Sequence, residues 1–564
     1  MHTVAQVGFV IVVLGVLGAS AGAFADEPVF PPGSPPADQL HVVDLIEEPS
    51  DSVRLMVTTL QGLVNRGDRA SLYILVRESD RFWLEYMIEH EYIEGYAPMT
   101  VDECLEHYGH VAKSGILYDP ELPATMNLAT MIAAIDDGIV VHPDDAHRLG
   151  DRPVEDLRGR WTTNADAYTW AFDELWPRMN QTVLAAYHPT SIGHHLRDYL
   201  VRNRIFHFWV TSEEQADGVT SDFEAEKAVL ETILEGTPVN IPVIGFWFSG
   251  QDHGIHEYTG VGLAGEFGKF TVVCDWSANL SVISGIPADL DAAIALYHDR
   301  PEPPMPEFDP DKVYIVYHVL ESGDAPVYLH YVQYDVWKDP KRREIPINWC
   351  MGPGAFDLMP MIAAYYYDEA TPQDYIYMAI SGAGYVHPYR DFLTRTPDPE
   401  SAWQEYLGLT ARYFDRMGAS AIGLYTDAFF PFNRDEKDLI TRRFADGVPG
   451  VRSLILGMGR DDGMNAVNGN YRIGDDDVQV NHILTRWPVE HRDMTKEENL
   501  QWLVDDIRSN TPDTRPAFMH VMAYSWEYRL SDIVEVHERL GEEYVALTIP
   551  QFQMVFDAHG PTEP

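Results

Sequence analysis

The sequence has few basic residues, with 40 Lys and Arg against 88 Asp and Glu and a formal net charge of -48 at pH 7. A chain of this charge repels nucleic acid and anionic membrane surfaces, so neither is an expected partner. We interpret the acidic excess as a solvated surface that keeps the protein soluble rather than as a set of acidic metal sites.

Cysteine is equally scarce, with Cys104, Cys274 and Cys350 far apart in the chain. An odd number at such wide spacing predicts neither a disulfide framework nor a zinc ribbon. A chain of 564 residues can bury its own cores without covalent cross-links, and its length predicts two to four packed units. No motif indicates a cofactor, and we expect none.

The first 25 residues lack acidic and basic side chains except His2, and they contain the apolar run VGFVIVVLGVLG. Ala23 and Ala25 form the small-x-small pattern that signal peptidase cleaves, so residues 1–25 are a predicted signal peptide. We therefore expect export to the periplasm, the cell surface or the medium, with no membrane insertion after cleavage. Because no basic residue precedes the apolar run, an uncleaved N-terminal anchor is the alternative.

Short β-type runs alternate with helix-length amphipathic segments, which predicts α/β units with parallel sheets. After a Pro-rich leader at 26–39, residues 40–300 are interpreted as a Rossmann-like or flavodoxin-like region of one or two subdomains. The run PEPPMPEFDP at 301–310 is too rich in proline for a helix or a central strand and indicates a linker. About seven or eight further βα units at 311–558 predict a TIM-like barrel, with an open doubly wound sheet as the alternative.

Acidic residues follow several of the predicted strands of the second half. Ligand sites of parallel α/β domains lie beyond the C-terminal ends of the strands, and glycosidic bond cleavage usually requires two carboxylates. With 88 acidic residues, any one of these carboxylates is more often a solvated surface group than a catalyst. Asp324 is our first choice for a catalytic acid or base, and the full candidate set is Asp324, Glu321, Asp427, Asp461 with its neighbour Asp462, and Glu527.

The stretch SGAGYVHP, residues 381–388, places glycines and aromatic rings in one turn after the predicted strand DYIYMAI. A phosphate cradle would require a third glycine where His387 stands, so no phosphate site is predicted. The glycines would supply positive φ or let a ligand approach the main chain, and the rings suit sugars. The alternative is a turn whose rings pack beneath the sheet. The predicted substrate-binding residues are Trp349, Gly382, Gly384, Tyr385, His387, Tyr389 and Trp526.

Two other stretches bring potential metal ligands together. In DHGIHEY, the spacing of His253, His256 and Glu257 matches no zincin pattern, and Gly254 indicates a loop. The run RDDGMNAVNGN is rich in oxygen ligands but lacks the order of an EF-hand. We therefore predict no metal site.

Several stretches together resemble the GxGYxYP family, large exported bacterial proteins regarded as glycoside hydrolases. GAGYVHP matches the family signature except that His387 replaces the usual tyrosine. The stretches LQGLVNR (60–66), WKDPKRREIPINWCMGP (337–353) and EEYVALTIPQFQMVF (542–556) are similar to further family segments. The resemblance runs over most of residues 40–558 and implies an N-terminal α/β region, a barrel-like C-terminal domain and a carbohydrate ligand.

One departure from the family concerns the first candidate acid. Family members carry a Ser-Asp-Gly-Asp-Asn type of run after the first barrel strand, whereas this chain has ESGDAP, in which Gly323 and Asp324 match. The leading hypothesis is an exported glycoside hydrolase that acts on an unknown glycan. The alternatives are a non-catalytic glycan-binding or surface protein on a degenerate hydrolase fold, and a metal-dependent deacetylase or esterase.

Overall fold

The computed structural model describes ten ranges of the chain, and the predicted signal peptide lies outside them. Within these ranges no helix is both long and apolar enough to cross a bilayer. The described residues are 28–190, 193–211, 222–247, 254–301, 303–320, 325–426, 434–457, 470–483, 494–524 and 528–560.

The N-terminal half contains three small parallel sheets. Strands such as β2 and β9 are apolar runs buried on both faces, as expected when helices cover a parallel sheet, whereas the edge strands β3 and β6 have no buried residue. The first has the order β2-β1-β3 and the second β5-β4-β6. Their elements are β1 (Pro36–Asp44), α1 (Asp51–Val64), β2 (Ala70–Leu75), α2 (Glu78–Glu89), β3 (Gly95–Met99), α3 (Val101–Tyr108), β4 (Ser114–Leu117), α4 (Ala124–Asp136), β5 (Gly138–Val141) and β6 (Val154–Asp156).

The third sheet has the order β10-β9-β7-β8, and all of its pairings are parallel. It carries several of the elements that meet the C-terminal half. They are α5 (Asn164–Glu174), β7 (Asn180–Ala186), α6 (Arg197–Asn203), β8 (Ile205–Phe208), α7 (Phe223–Glu235), β9 (Ile241–Gly245), α8 (Glu257–Glu266), β10 (Lys269–Val273), α9 (Leu280–Ile283) and α10 (Leu290–Asp299).

The C-terminal half forms one nine-stranded sheet with the order β16-β17-β15-β14-β13-β12-β11-β18, and β19 pairs with β11. Only β16 is antiparallel to its neighbour among the described strands. The elements are β11 (Val313–Leu320), α11 (Ala325–Tyr328), α12 (Tyr334–Val336), β12 (Ile347–Met351), α13 (Ala355–Leu358), α14 (Pro360–Asp368), β13 (Asp374–Met378), α15 (Pro399–Met417), β14 (Ala421–Leu424), α16 (Arg434–Gly447), β15 (Ser453–Leu456), β16 (Asn470–Ile473), β17 (Val478–His482), α17 (Lys496–Asn510), β18 (Ala517–Tyr524), α18 (Leu530–Leu540), β19 (Tyr544–Ala546) and α19 (Ile549–His559).

This sheet is strongly curled. Beyond the continuous ladder, a single parallel bridge between Ile483 and His520 joins the region of β17 to β18. The predicted α/β class with parallel sheets is therefore confirmed. The predicted TIM-like barrel is confirmed only as a curled half-barrel, because one isolated bridge within the described residues is not a continuous closing ladder.

The third sheet contacts the C-terminal half through the turn that follows β13. Thr271 of β10 forms an isolated antiparallel bridge with Tyr385. Leu393 and Arg395 continue this contact, since their main-chain N–H groups donate to carbonyl oxygens of Gly265 and Glu266 at the end of α8. The turn that carries the glycine-aromatic motif is thus held between two units.

Candidate functional site

The C-terminal ends of the strands meet at one edge of the curled sheet. Leu320 of β11 lies opposite Tyr524 of β18 in the parallel register. In the same way Leu424, Leu456 and His482 are register partners at the ends of β14, β15 and β17. β11, β14, β15 and β18 each precede a predicted carboxylate, and they form two adjacent pairs at this edge, β11 with β18 and β14 with β15.

The predicted carboxylates themselves lie outside the described residues, as does one predicted aromatic residue. Their roles therefore stay predictions. The described strands show only where the segments that carry these residues begin. The residues concerned are Glu321, Asp324, Asp427, Asp461, Asp462, Trp526 and Glu527.

The motif turn begins with two residues in the left-handed region, Ser381 at φ 64° and Gly382 at φ 101°. A Cβ atom on Gly382 would lie 2.5 Å from Oγ1 of Thr410, so the position requires glycine for space as well as for φ. Ser381 ties the turn to the next strand, because its N–H donates to Gly423 O at 2.7 Å and its Oγ accepts from Tyr425 N–H at 3.0 Å. The expected positive φ is found at Gly382.

Gly384 allows a close approach between the motif and β10. A Cβ atom there would lie 2.5 Å from the ring of Phe270 and 2.9 Å from the carbonyl oxygen of Thr271. Tyr385 N–H donates to Thr271 O at 2.8 Å, and Thr271 N–H donates back to Tyr385 O at 3.0 Å. In this structure the main chain that approaches the glycine is therefore that of β10.

The motif side chains form a hydrogen-bonded aromatic cluster with α8. The Tyr385 hydroxyl donates to Oε1 of Glu257 at 2.8 Å, and it lies 3.5 Å from Nε2 of His387. The His387 ring stacks on Tyr425 with centroids 4.6 Å apart, and Tyr258 lies 5.8 Å away. The Tyr385 phenol thus lies between the Glu257 carboxylate and the His387 imidazole.

The His387 imidazole is neutral. Burial and the positive charge of Arg390 lower the pKa of His387 from 6.5 to about 3. Its Nδ1 has no hydrogen-bond partner among the described residues. Tyr385 and His387 are only 1% and 2% exposed, so these rings form a packed wall rather than an open stacking platform.

The two remaining described residues of the predicted binding set have contacts inside the protein. The Trp349 indole N–H donates to Oδ1 of Asp374 at 2.9 Å, and its ring packs 4.7 Å from that of Trp337. The Tyr389 hydroxyl hydrogen-bonds Oγ1 of Thr441 at 3.0 Å. These contacts explain the two side chains by packing, and their predicted contact with sugar stays a prediction.

Glu257 is the residue that the sequence reasoning missed. Its stretch matches no metal-ligand spacing, and its partner Tyr385 lies far away in the sequence. The available signal was an acid followed directly by the aromatic Tyr258. In the described part of the chain, no group of three or more His, Cys, Asp or Glu side chains could hold a metal ion.

Family models match the chain in four consecutive blocks. Together they cover most of its length, with the C-terminal block spanning the curled sheet and the motif. The chain belongs to the GxGYxYP family. The matches are GxGYxYP_N first domain (40–109), GxGYxYP_N second domain (112–179), GxGYxYP third domain (180–285) and "GxGYxYP putative glycoside hydrolase C-terminal domain" (311–556).

A solved structure has the same fold as this GxGYxYP protein. It is described as "a putative hydrolase from Bacteroides thetaiotaomicron VPI-5482" and superposes with a TM-score of 0.75 at 19% identity. The match covers 95% of this chain and 98% of that one. At this identity the likeness establishes the fold alone. Among curated proteins none matches the sequence.

Proposed function

We propose that this GxGYxYP protein is an exported glycoside hydrolase. Its active site lies at the C-terminal edge of the curled sheet, where the GxGYxYP motif meets the third N-terminal sheet. In this proposal the curled sheet belongs to a TIM-like barrel, and residues 1–25 direct export as a signal peptide.

One observation carries the proposal: the strands that precede the predicted carboxylates end at the same edge of the curled sheet, in the adjacent pairs β11 with β18 and β14 with β15. Paired carboxylates across a bond are what glycoside hydrolysis requires. The family description of the C-terminal block, a putative glycoside hydrolase domain, supports the same chemistry. Asp324 is the proposed acid or base, with a partner among Glu321, Asp427, Asp461 and Glu527.

Glu257 and Tyr385 act in this proposal as positioning residues. A phenol that donates to a carboxylate at 2.8 Å fixes the orientation of both groups. Because Glu257 belongs to α8 and Tyr385 to the motif, this bond holds the third N-terminal sheet and its helices against the C-terminal strand ends. A shift of that sheet would change the geometry of any site at this edge.

A second candidate function is glycan binding without cleavage. The ESGDAP run, which lacks the first acid and the asparagine of the family segment, favours it.

The test is release of reducing ends from a panel of glycans by the wild type and by Asp324→Asn. We expect release from at least one glycan by the wild type and a loss of about a hundredfold or more in the variant, the scale of general acid-base catalysis. Asp311→Asn, at an exposed position before β11, is the matched control and should retain full activity.

The other outcomes separate the alternatives. Equal activity in Asp324→Asn and Asp311→Asn would remove Asp324 from the mechanism. Binding on a glycan array without release of reducing ends would favour the non-catalytic protein. Release of acetate that stops in a chelator would favour the metal-dependent deacetylase.

A further inference from the structure

A second polar cluster lies where the first and third N-terminal sheets meet the segment after β11. Arg77 follows β2, and Asp275 follows β10. His330 lies in the π-helical stretch Leu329–Gln333 of the C-terminal half, a distortion that is frequent at functional sites. Arg77 is close enough to influence the pKa values of both His195 and Asp275, and His330 influences that of His195.

His195 is held in this cluster by an unusual main chain. Its neighbours His194 and Leu196 have φ values of 65° and 62°, which cost free energy for residues other than glycine. The turn is anchored on both sides, because Tyr187 donates its hydroxyl to His195 O at 2.6 Å and Leu196 N–H donates to Ser277 O at 3.0 Å. The fold therefore maintains a specific position for the imidazole.

Several polar groups of the cluster have no hydrogen-bond partner within the described ranges. They are Nδ1 of His195, Nδ1 of His330 and Nη1 of Arg77. His195 and His330 are only 4% and 1% exposed, so water at the surface does not satisfy them. Buried polar groups are normally hydrogen-bonded, and such a set indicates a binding partner.

The charge of the cluster favours an anion. Arg77 forms no ion pair with any described carboxylate, and its guanidinium lies 4.0 Å from the ring of Tyr331 and 4.9 Å from that of Trp276. Two carboxyl groups lie nearby, those of Asp80 and Asp275, and neither is a good ion-pair partner for Arg77. Asp80 accepts the N–H groups of Val76 and Arg77, and its other oxygen lies 3.5 Å from Nε2 of His330.

Asp275 is the second nearby carboxyl group. Burial raises its pKa to about 7 in spite of the charge of Arg77, so a large fraction of it is protonated at neutral pH. A protonated carboxyl donates a hydrogen bond to an incoming anion rather than repelling it. The rings of Trp276 and Tyr331 are partly exposed, which gives the cluster an opening beside Arg77.

We propose that this cluster binds the anionic group of an acidic sugar, a carboxylate or a sulfate ester. The Arg77 guanidinium is its charged ligand, and the imidazoles of His195 and His330 are hydrogen-bond donors. That the ligand is a sugar rests on the proposed function; that it is an anion rests on the cluster. Asp275 lies two residues beyond the end of β10, the strand whose Thr271 forms the bridge with the motif, so the subsite lies at the C-terminal end of that strand.

The test is calorimetric or ligand-observed NMR titration of the full chain with glucuronate, glucose, glucose 6-sulfate and inorganic sulfate. We expect an acidic sugar to bind at least tenfold more tightly than glucose and Arg77→Gln to raise its Kd at least tenfold. The matched control is Arg81→Gln, in the first turn of α2, which directly follows Arg77; Arg81 pairs with exposed Asp44 and Glu78, and the variant should stay within about twofold of wild type. Arg77→Lys keeps the charge but loses the planar guanidinium, so its Kd should lie between those of Arg77→Gln and Arg81→Gln.

The titrations with the two acidic sugars identify the anionic group. Tighter binding of glucuronate than of glucose 6-sulfate assigns a carboxylate, and the reverse assigns a sulfate ester. The proposal is overturned if glucose binds as tightly as both acidic sugars, if Arg77→Gln behaves like Arg81→Gln, or if inorganic sulfate binds as well as the sugars. Because binding needs no turnover, Arg77-dependent binding without cleavage of any glycan would reject the hydrolase and retain this subsite.

Discussion

His387 stands where the family signature has tyrosine, and its surroundings keep it uncharged. It faces the Tyr385 hydroxyl, the rings of Tyr258 and Tyr425, and the cation of Arg390. None of these groups stabilises an imidazolium enough to offset burial. In the unfolded chain the same histidine has a pKa near 6.5.

This difference predicts a contribution to acid unfolding. Below pH 6.5 the unfolded chain binds a proton that the folded chain refuses until about pH 3, so the free energy of unfolding falls as the pH falls through this window. The slope is about 1.4 kcal/mol per pH unit for one such histidine. His387→Tyr should therefore shift the midpoint of acid unfolding, followed by circular dichroism, to lower pH.

The exposed His110 provides the control for that measurement. His110→Gln should leave the midpoint unchanged, because its imidazole is solvated in both states. An acid-unfolding curve of His387→Tyr that coincides with the wild-type curve would show that His387 is protonated in the folded protein.

Single residues were predictable from sequence where local conformation decides them. Two glycines in one turn predicted a left-handed residue, and Gly382 is one. Gly384 was harder, because the atom that it accommodates belongs to Thr271 in another unit. Glu257 was missed for the same reason, since its hydrogen bond to Tyr385 exists only in the folded chain.

At the scale of elements, the motif turn follows β13 in the chain and forms main-chain hydrogen bonds with β10. Gly384→Ala would place a methyl group 2.9 Å from the carbonyl oxygen of Thr271, and main chain cannot move as a side-chain tip can. We expect a loss of stability of about 1–3 kcal/mol and a lower Tm. Thermal unfolding of the purified variant measures it.

Gly408 supplies the opposite control. It lies inside α15, and a Cβ there would meet nothing within 4 Å. Gly408→Ala should raise stability by about 0.5–1 kcal/mol, because alanine favours a helix. If Gly384→Ala is as stable as Gly408→Ala, the contact between the motif and β10 is looser than the structure indicates.

Strands and helices were predictable because apolar runs and amphipathic segments alternate along the chain. The class and the parallel pairing follow from that alternation, as β13, buried at every position, illustrates. Closure of the sheet was not predictable, since it depends on how strongly the strands twist and on which edges meet. The bridge of Ile483 to His520 is such a long-range contact.

The whole molecule brings separate sheets to one place. The C-terminal strand ends of the curled sheet, the turn with Tyr385 and the N-terminal end of α8 meet at a single junction. A resemblance to the family predicted the two halves, but not the hydrogen bond that joins them. Such a junction makes the position of the third N-terminal sheet part of the proposed active site.

The most direct measurement is a double-mutant cycle on kcat for a glycan that the wild type cleaves, with Glu257→Gln, Tyr385→Phe and the double variant. Two groups that act through one hydrogen bond are non-additive, so the double variant should lose no more activity than the worse single variant, which we expect to lose about tenfold. Losses that multiply, or single variants as active as wild type, would contradict a site built at this junction.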